Sequence, residues 1–350
     1  MTAQWAFIEH VTDSLGRSRP GDPKPPTLWP SEASAIIEKN GKKKVVGKCR
    51  RATFFRFLLE NYSFYDKYKI WKPLVEDIQC NALPVDRYLL WIWRQGELYE
   101  EFLIEQAKIS GVFVSSQATV FIPEYNVSGK KDIEIVNPET HKLSIVESKS
   151  VYGHGGNAVL GTPSARRQGA LGTPRDSNLM QLAIYHWWHA SEDSAYEESR
   201  LVYGSRDTGR YGEYLVKTET NEEGTIEILY KPHAPKSGPW VTSAITINSI
   251  LEEYKNIQLW IDSGIIPARD FDVLFDEEQL AEIYLAGEMT KTDREQYEKV
   301  IARREENVIL ERAGEKVKKE LKQIEKGAFN CGYCNFKNVC YNSENQPRTL

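Results

Sequence analysis

The sequence predicts an α/β fold in which helices flank a sheet. Three stretches carry the prediction. Asp86 to Ser110 has the apolar spacing of a long helix. Ser128 to Ser150 reads as two strands joined by a turn. The run NLMQLAIYHWWHA, from Asn178, reads as a helix that is apolar nearly all round and so belongs against a sheet. Helix, strands, buried helix and further strands in that order imply helices layered on a sheet.

At 350 residues the chain has room for one large domain or two ordinary ones. Its composition, 41% apolar and 27% charged, is that of a soluble globular protein. No apolar run is long enough to span a bilayer. The start, MTAQWAFIEHVTDSLGRSRP, lacks the basic opening and apolar block of a secretory signal. A cytoplasmic, non-membrane protein is expected, and five cysteines in a reducing compartment argue against a disulfide framework. A net charge of −5 gives no global attraction to nucleic acid. DNA binding would need local patches, such as Lys42, Lys43 and Lys44 with Lys48, Arg50 and Arg51, or Arg166 and Arg167.

Residues 1 to about 30 end in GRSRPGDPKPPTLWP, a linker or surface-hugging arm. Phe54, Phe55, Leu58, Leu59 and Tyr62 then recur at helical spacing, with Cys49 near the helix start. In the Asp86–Ser110 helix, closed by Gly111, one stripe holds Leu89, Trp93, Gly96, Glu100, Leu103 and Ala107. Glu100 is thus a carboxylate on an apolar stripe: it wants a metal or a cation, or reaches water at the stripe's edge. Glu101 falls on the solvated stripe beside Arg94 and Glu97. Val112 to Ile122 alternates as a strand that can pair with the following hairpin.

Within that hairpin Asp132 to Val136 alternates polar and apolar, and Asn137 to His141 supplies turn chemistry. Leu143 to Lys149 runs apolar before it meets charge. Glu147 and Lys149 are two apart, so they share a strand face with Leu143 and Ile145. Charges that continue an apolar face are costly to desolvate without partners. A hairpin can bring Asp132 beside them, and two carboxylates with a lysine suit a divalent cation and a water to be activated. A surface hairpin carrying a chance Glu-x-Lys is the plainer reading.

Val151 to Ser177 is rich in glycine and proline and reads as a mobile flap beside the hairpin. Asn178 or Ser177 caps the next helix, which carries Gln181 and Tyr185 four apart on one face. Its Trp187 and Trp188 belong to the core or stack bases. Arg200 to Gly204, Gly212 to Thr218 and Thr225 to Lys231 read as strands. Ser249 to Ser263 reads as a helix with Ile250, Tyr254, Ile257 and Ile261 inward, ended by Gly264. From Asp276 to Lys326 mixed charges crowd two or three solvated helices.

The tail, FNCGYCNFKNVCYN, places Cys331, Cys334 and Cys340 in a C-x2-C-x5-C arrangement. Three thiols this close can converge on one metal. No histidine lies beyond His233, so Cys49 or Cys80 would supply the fourth ligand, and four thiolates fit zinc or an iron–sulfur cluster. Tying Cys49 to the tail would close a loop of about 280 residues and restrict the unfolded chain by about 5 kcal/mol. Such a centre is a structural clasp rather than a catalyst.

Taken in order, a Cys before a helix, a glutamate after a helical Gly, Gly-x-x-Asp, Glu-x-Lys, Gln-x-x-x-Tyr and the terminal cysteines resemble a known family. They look like the RecB-type branch of the PD-(D/E)xK nucleases, specifically the CRISPR-associated and AddB-like members that carry a 4Fe–4S cluster. The resemblance spans about Lys48 to Tyr341, and the cysteine pattern is its most specific part. It implies a restriction-endonuclease-like αβββαβ core with a mixed sheet, helical insertions and a C-terminal Fe–S clasp. The chain then divides into an arm (1–45), a nuclease core with the first cluster ligand (46–264), a helical insertion (265–326) and the cluster segment (327–350).

Carried across, Cys49, Cys331, Cys334 and Cys340 would bind the cluster, and Cys80 has no counterpart. Asp132 and Glu147, with Glu100, would bind Mg²⁺ or Mn²⁺. Lys149 would orient the attacking water and steady charge on the phosphate, while Gln181 and Tyr185 would sit beside the site. Many relatives have histidine where Glu100 stands, but glutamate also ligates a hard cation. No G-x-x-x-x-G-K-[ST] occurs, so no ATP-driven unwinding is expected. The resemblance implies a DNA exonuclease acting on single strands or ends, in a homo-oligomer or with recombination or CRISPR-adaptation partners, and leaves an added endonuclease activity open. Two alternatives stand beside it: a catalytically silent DNA-end binder on the same fold, and a zinc-stabilised protein of other function.

Overall fold

The computed structural model describes residues 27–39, 41–162, 164, 171–192, 195–233, 238–321, 327–341 and 348–349. It is an α/β arrangement: a mixed seven-stranded sheet flanked by helices. The chain opens with a hairpin of β1 (Ser34–Lys39) and β2 (Lys42–Gly47), followed by helices α1 (Arg50–Asn61), α2 (Lys72–Asn81) and α3 (Arg87–Ile109). Strands β3 (Phe113–Ile122), β4 (Val127–Val136) and β5 (Leu143–Val151) form an antiparallel meander. Helices α4 (Gly153–Leu160) and α5 (Asp176–Glu192) then cross to β6 (Ser199–Ser205), which runs parallel to β5. Strands β7 (Tyr211–Thr220), β8 (Ile226–Pro232) and β9 (Val241–Thr246) complete the sheet in the order β3-β4-β5-β6-β7-β8-β9. Helices α6 (Ile247–Ser263), α7 (Glu277–Leu285) and α8 (Lys291–Arg312) follow.

The central strands explain why the hairpin's charges are buried. β5 has neighbours on both edges and helices over its faces, so Ser144 to Ser148 is buried without a break. The turn before it closes as expected: Asn137 Oδ1 accepts the Glu139 N–H at 2.9 Å, and His141 takes the left-handed conformation. α5 supplies the apolar cover, with Leu179, Met180, Leu182, Ala183 and Ile184 all buried. α6 buries Ile250, Tyr254, Ile257 and Ile261 as its spacing predicts, and Gly264 ends it at a φ of 70°. Each such aliphatic side chain contributes roughly 1.5–3 kcal/mol.

Several local readings are corrected. The stretch after Val151 is not loop throughout: Gly153–Leu160 is helical, and Val159 and Leu160 are buried in the core. Tyr214 donates its hydroxyl to the Val159 carbonyl at the end of this helix. Arg166 and Arg167 lie outside the described residues. α5 begins at Asp176, so Ser177 and Asn178 sit in its first turn, and Asn178 accepts a hydrogen bond from Tyr203 instead of capping. On α3 Trp93 is exposed, whereas Leu89, Gly96, Glu100 and Leu103 are half-buried. Trp187 and Trp188 pack partly buried against the core, Trp187 edge-on to Tyr125 at 6.5 Å. No described helix is long and apolar enough to cross a membrane.

Candidate functional site

The β4–β5 ladder runs to the pair Ile133–Val146, and the next two residues across from one another are Asp132 and Glu147. There the strands stop exchanging backbone hydrogen bonds, and the Asp132 side chain takes the place of the ladder. Its Oδ2 accepts the Ser148 N–H at 2.8 Å and the Ser148 hydroxyl at 3.1 Å. Asp132 is thereby fastened to the residue between Glu147 and Lys149. Glu147 is 0% exposed, and its Oε1 accepts a hydrogen bond from Lys149 Nζ. Its Oε2 is buried and accepts no hydrogen bond among the described residues.

Helix α3 delivers the third carboxylate. It can lie close to the sheet because β6 has a glycine where Tyr99 packs: a Cβ on Gly204 would stand 2.3 Å from that ring. Glu100, the next residue along, accepts a hydrogen bond from Gln117 Nε2. Gln117 sits in β3 between Ser116 and Ala118, which pair with Ile133 and Lys131, so it stands across from Asp132. Its φ of 54° is a left-handed conformation, a local strain at the point where β3 meets the acidic cluster.

The charges feel one another. Burial raises the Glu147 carboxyl to about 8, with Lys149 opposing and the negative charges of Asp132 and Glu100 adding to the rise. Glu100 is raised to about 7, first by burial and then by Asp132. Burial disfavours the Lys149 ammonium, but Glu147 and Asp132 outweigh it and lift that group to about 12. Three carboxylates thus crowd one lysine, and Glu147 and Glu100 hold their protons to higher pH than free carboxyls; a hard cation would favour their ionised forms.

Lys149 is registered beside Tyr203 of β6, whose hydroxyl donates to Asn178 Oδ1 and accepts the Arg175 N–H, both at 3.1 Å. Tyr203 therefore joins the lysine's strand to the start of α5. On α5 Tyr185 donates to the Lys130 carbonyl at 3.1 Å, and Gln181 hydrogen-bonds Tyr185. Burial pushes the Tyr185 phenol upward, with the charges of Glu147 and Asp132 next in effect.

Some 280 residues apart in sequence, Cys49 and the tail come together (about that span closes the loop). Cys49, Cys331, Cys334 and Cys340 line one cavity with Arg51, Arg269 and Phe271. Burial raises all four thiols, Cys49 to about 12 and Cys340 to about 11, and Cys49 also feels Asp270, Cys340 and Cys334. Cys80 is exposed and lies elsewhere. The tail is held by the Leu83 N–H on the Asn335 carbonyl at 2.7 Å and by Phe336 edge-on to Phe55 at 5.7 Å.

The chain matches no family model, no curated protein and no solved structure.

The residues themselves carry the fit to metals. Among the described residues no three His, Cys, Asp or Glu side chains stand ready-made around a single ion. Each carboxylate has a local partner: Lys149 occupies Glu147 Oε1, Gln117 occupies Glu100 Oε1 and Ser148 occupies Asp132 Oδ2. The bare Oε2 of Glu147 and the neighbouring carboxylates are oxygen donors of the kind a hard divalent ion takes. Four soft sulfurs on one cavity fit zinc or an iron–sulfur cluster.

The basic patch is corrected in part. Lys43, Lys44 and Lys48 are exposed. Arg50 is tied to Asp270 and Glu253, and Arg51 is 0% exposed, so neither contacts a DNA backbone. Gln117, Ser148 and Tyr203 were not singled out by sequence. Ser148 lay inside Glu-x-Lys, and Tyr203 is one of several aromatics in alternating strands. Nothing local marks Gln117.

Proposed function

We propose that this chain is a divalent-metal-dependent deoxyribonuclease of the RecB-like PD-(D/E)xK type, acting on single-stranded DNA or DNA ends and stabilised by a thiolate-bound 4Fe–4S cluster. One observation carries the reading: a wholly buried Glu147 bonded to Lys149, with Asp132 fastened to the serine between them and a bare carboxylate oxygen left over. A buried charge so placed is expensive for a scaffold and useful to an enzyme. A Mg²⁺ or Mn²⁺ ion held by Asp132 and Glu147, with Glu100, would lower the pKa of water and relieve charge on the phosphate.

The protein's own groups do the rest. Glu147 holds the Lys149 ammonium at the rim of the carboxylate cluster, where the lysine can meet negative charge building on a phosphate. Tyr203 and Ser148 fix the two strands that carry them. Lys43, Lys44 and Lys48 are free to meet a DNA backbone without reading sequence. Cys49 and the three tail cysteines would hold the cluster, which joins the two ends of the fold and takes no part in cleavage.

Glu147→Ala and Lys149→Ala, each assayed on end-labelled single- and double-stranded DNA with Mg²⁺ and with Mn²⁺, are expected to lose cleavage while keeping the fold. Undiminished cleavage in both would sink the mechanism. The four sulfurs equally suit zinc, a second reading separated by colour. A brown sample absorbing near roughly 400 nm indicates iron, and a colourless one with stoichiometric zinc indicates the other metal.

A further inference from the structure

Strand β3 carries a backbone outlier. Gln117 is an exposed strand residue with a φ of 54°. A strand wants extended backbone, and a left-handed residue with a Cβ is strained where glycine would not be. Such a residue persists where its surroundings fix it, which raises the question of what its side chain does. The ladder keeps its register on either side: Ser116 pairs with Ile133 and Ala118 with Lys131, which sets Gln117 across from Asp132. The Gln117 Nε2 donates to Glu100 Oε1. The strained residue of β3 is thus the one that grips the carboxylate on α3.

Glu100 has need of a grip. None of the 23 residues of α3 is buried, so packing alone leaves its long side chains room to move. Gly96 lies against Ser150 and Tyr99 against Gly204. Those contacts set where the helix lies, and not which rotamer Glu100 takes. The donor is also of a particular kind. An amide is neutral, so it orients a carboxylate oxygen without bringing a cation that would compete with a metal. Carboxylates that ligate metals are commonly held by hydrogen bonds of this sort.

We propose that Gln117 is a positioning residue of the metal site: its left-handed backbone aims the amide at Glu100 and holds that carboxylate toward Asp132 and Glu147. This rests on the metal-site part of the proposed function and does not depend on which substrate the site cleaves.

The test uses the full chain and Mn²⁺ without DNA, the free ion being counted by its paramagnetic resonance signal. Gln117→Ala and Gln117→Gly both remove the amide, and each is expected to weaken Mn²⁺ binding about tenfold. Glu100→Ala is expected to weaken it at least as much. Adding Gln117→Ala to Glu100→Ala should weaken it no further, because the amide acts through that carboxylate. Urea midpoints without metal read the backbone. Gln117→Gly should be more stable than Gln117→Ala, the reverse of the order in an ordinary strand.

Wild-type Mn²⁺ affinity in Gln117→Ala and Gln117→Gly would overturn the proposal. So would a double variant weaker than Glu100→Ala by the same factor again, since Gln117 would then act elsewhere. A lower midpoint in Gln117→Gly than in Gln117→Ala would remove the strained backbone from it. Should Gln117→Ala fail to fold, Gln117→Gly takes its place in the single and double variants, and the failure itself shows the expected order. Wild-type affinity in Glu100→Ala overturns this inference and leaves Asp132 and Glu147 as the site. A wild-type chain that binds no Mn²⁺ removes the site itself, a result seen before any variant is made.

Discussion

The hydroxyl of Tyr185 stands where a side chain at Gly129 would begin: a Cβ on Gly129 would lie 2.4 Å from that oxygen and 2.8 Å from Pro30 Cδ. The same hydroxyl donates to the carbonyl of Lys130, the residue after that glycine. The Gly-x-x-Asp and Gln-x-x-x-Tyr stretches are therefore one device. The glycine of the first admits the tyrosine of the second, and both hold the strand β4 that carries Asp132. Gly129→Ala is expected to destabilise the fold by about 1–3 kcal/mol through overpacking. Adding Tyr185→Phe should recover part of that loss but not all, because Pro30 remains. Urea denaturation of the three variants checks it, and an unchanged midpoint in Gly129→Ala would contradict the close approach.

The buried Glu147 sets a pH dependence whose sign follows from its proton. Burial first, and the charges of Asp132 and Glu100 as well, hold the carboxyl at about 8, above its ordinary 4.5. Between those values the folded chain keeps a proton that the unfolded chain has released. Stability without divalent ions should therefore fall as pH rises from 4.5 to about 8. Glu147→Gln should remove this part of the slope and stabilise the fold at high pH. Lys149→Ala should do the opposite, leaving the carboxylate without its cation. Added Mg²⁺ or Mn²⁺ should bind more tightly as pH rises and release protons on binding, read by calorimetry in buffers of different ionisation heat.

His186 pulls the other way. It is buried on α5 with Nδ1 3.0 Å from the Ser199 hydroxyl, and burial, aided by His189, lowers it to about 4 from 6.5. The unfolded chain takes up a proton there that the folded chain refuses. The stability this histidine contributes is whole above pH 6.5 and is lost as pH falls toward 4. The loss is expected to approach about 3 kcal/mol. His186→Gln should flatten the acid limb of a stability–pH curve, and an unaltered limb would place the acid sensitivity elsewhere.

Two ion pairs of similar length should differ in worth. Asp270 is 1% exposed at its side chain and braces Arg50, whereas Lys67 and Asp262, joined at 2.8 Å, are 57% and 39% exposed. Asp270→Ala strands a largely buried guanidinium with Glu253 alone and is expected to cost about 3–5 kcal/mol. Asp262→Ala should cost at most about 1 kcal/mol, and that small effect should vanish in high salt. Thermal melts of both variants at two ionic strengths test the contrast.

The amino-acid sequence by itself determined the elements whose instructions are local. Periodicity marked α1 with Cys49 at its start, α3 with Glu100, the β4–β5 hairpin with Asp132, Glu147 and Lys149, and α5 with Gln181 and Tyr185. Each needs only residues two to four apart to be recognised. Tertiary structure alone decided that Arg51 points inward while Arg50 binds Asp270, that Gln117 turns left-handed to reach Glu100, and that Tyr203 registers beside Lys149. It also decided that a glycine-rich run after Val151 is helical. Those outcomes depend on partners brought from distant parts of the chain, and a side chain's burial and charge environment exist only once that packing has formed.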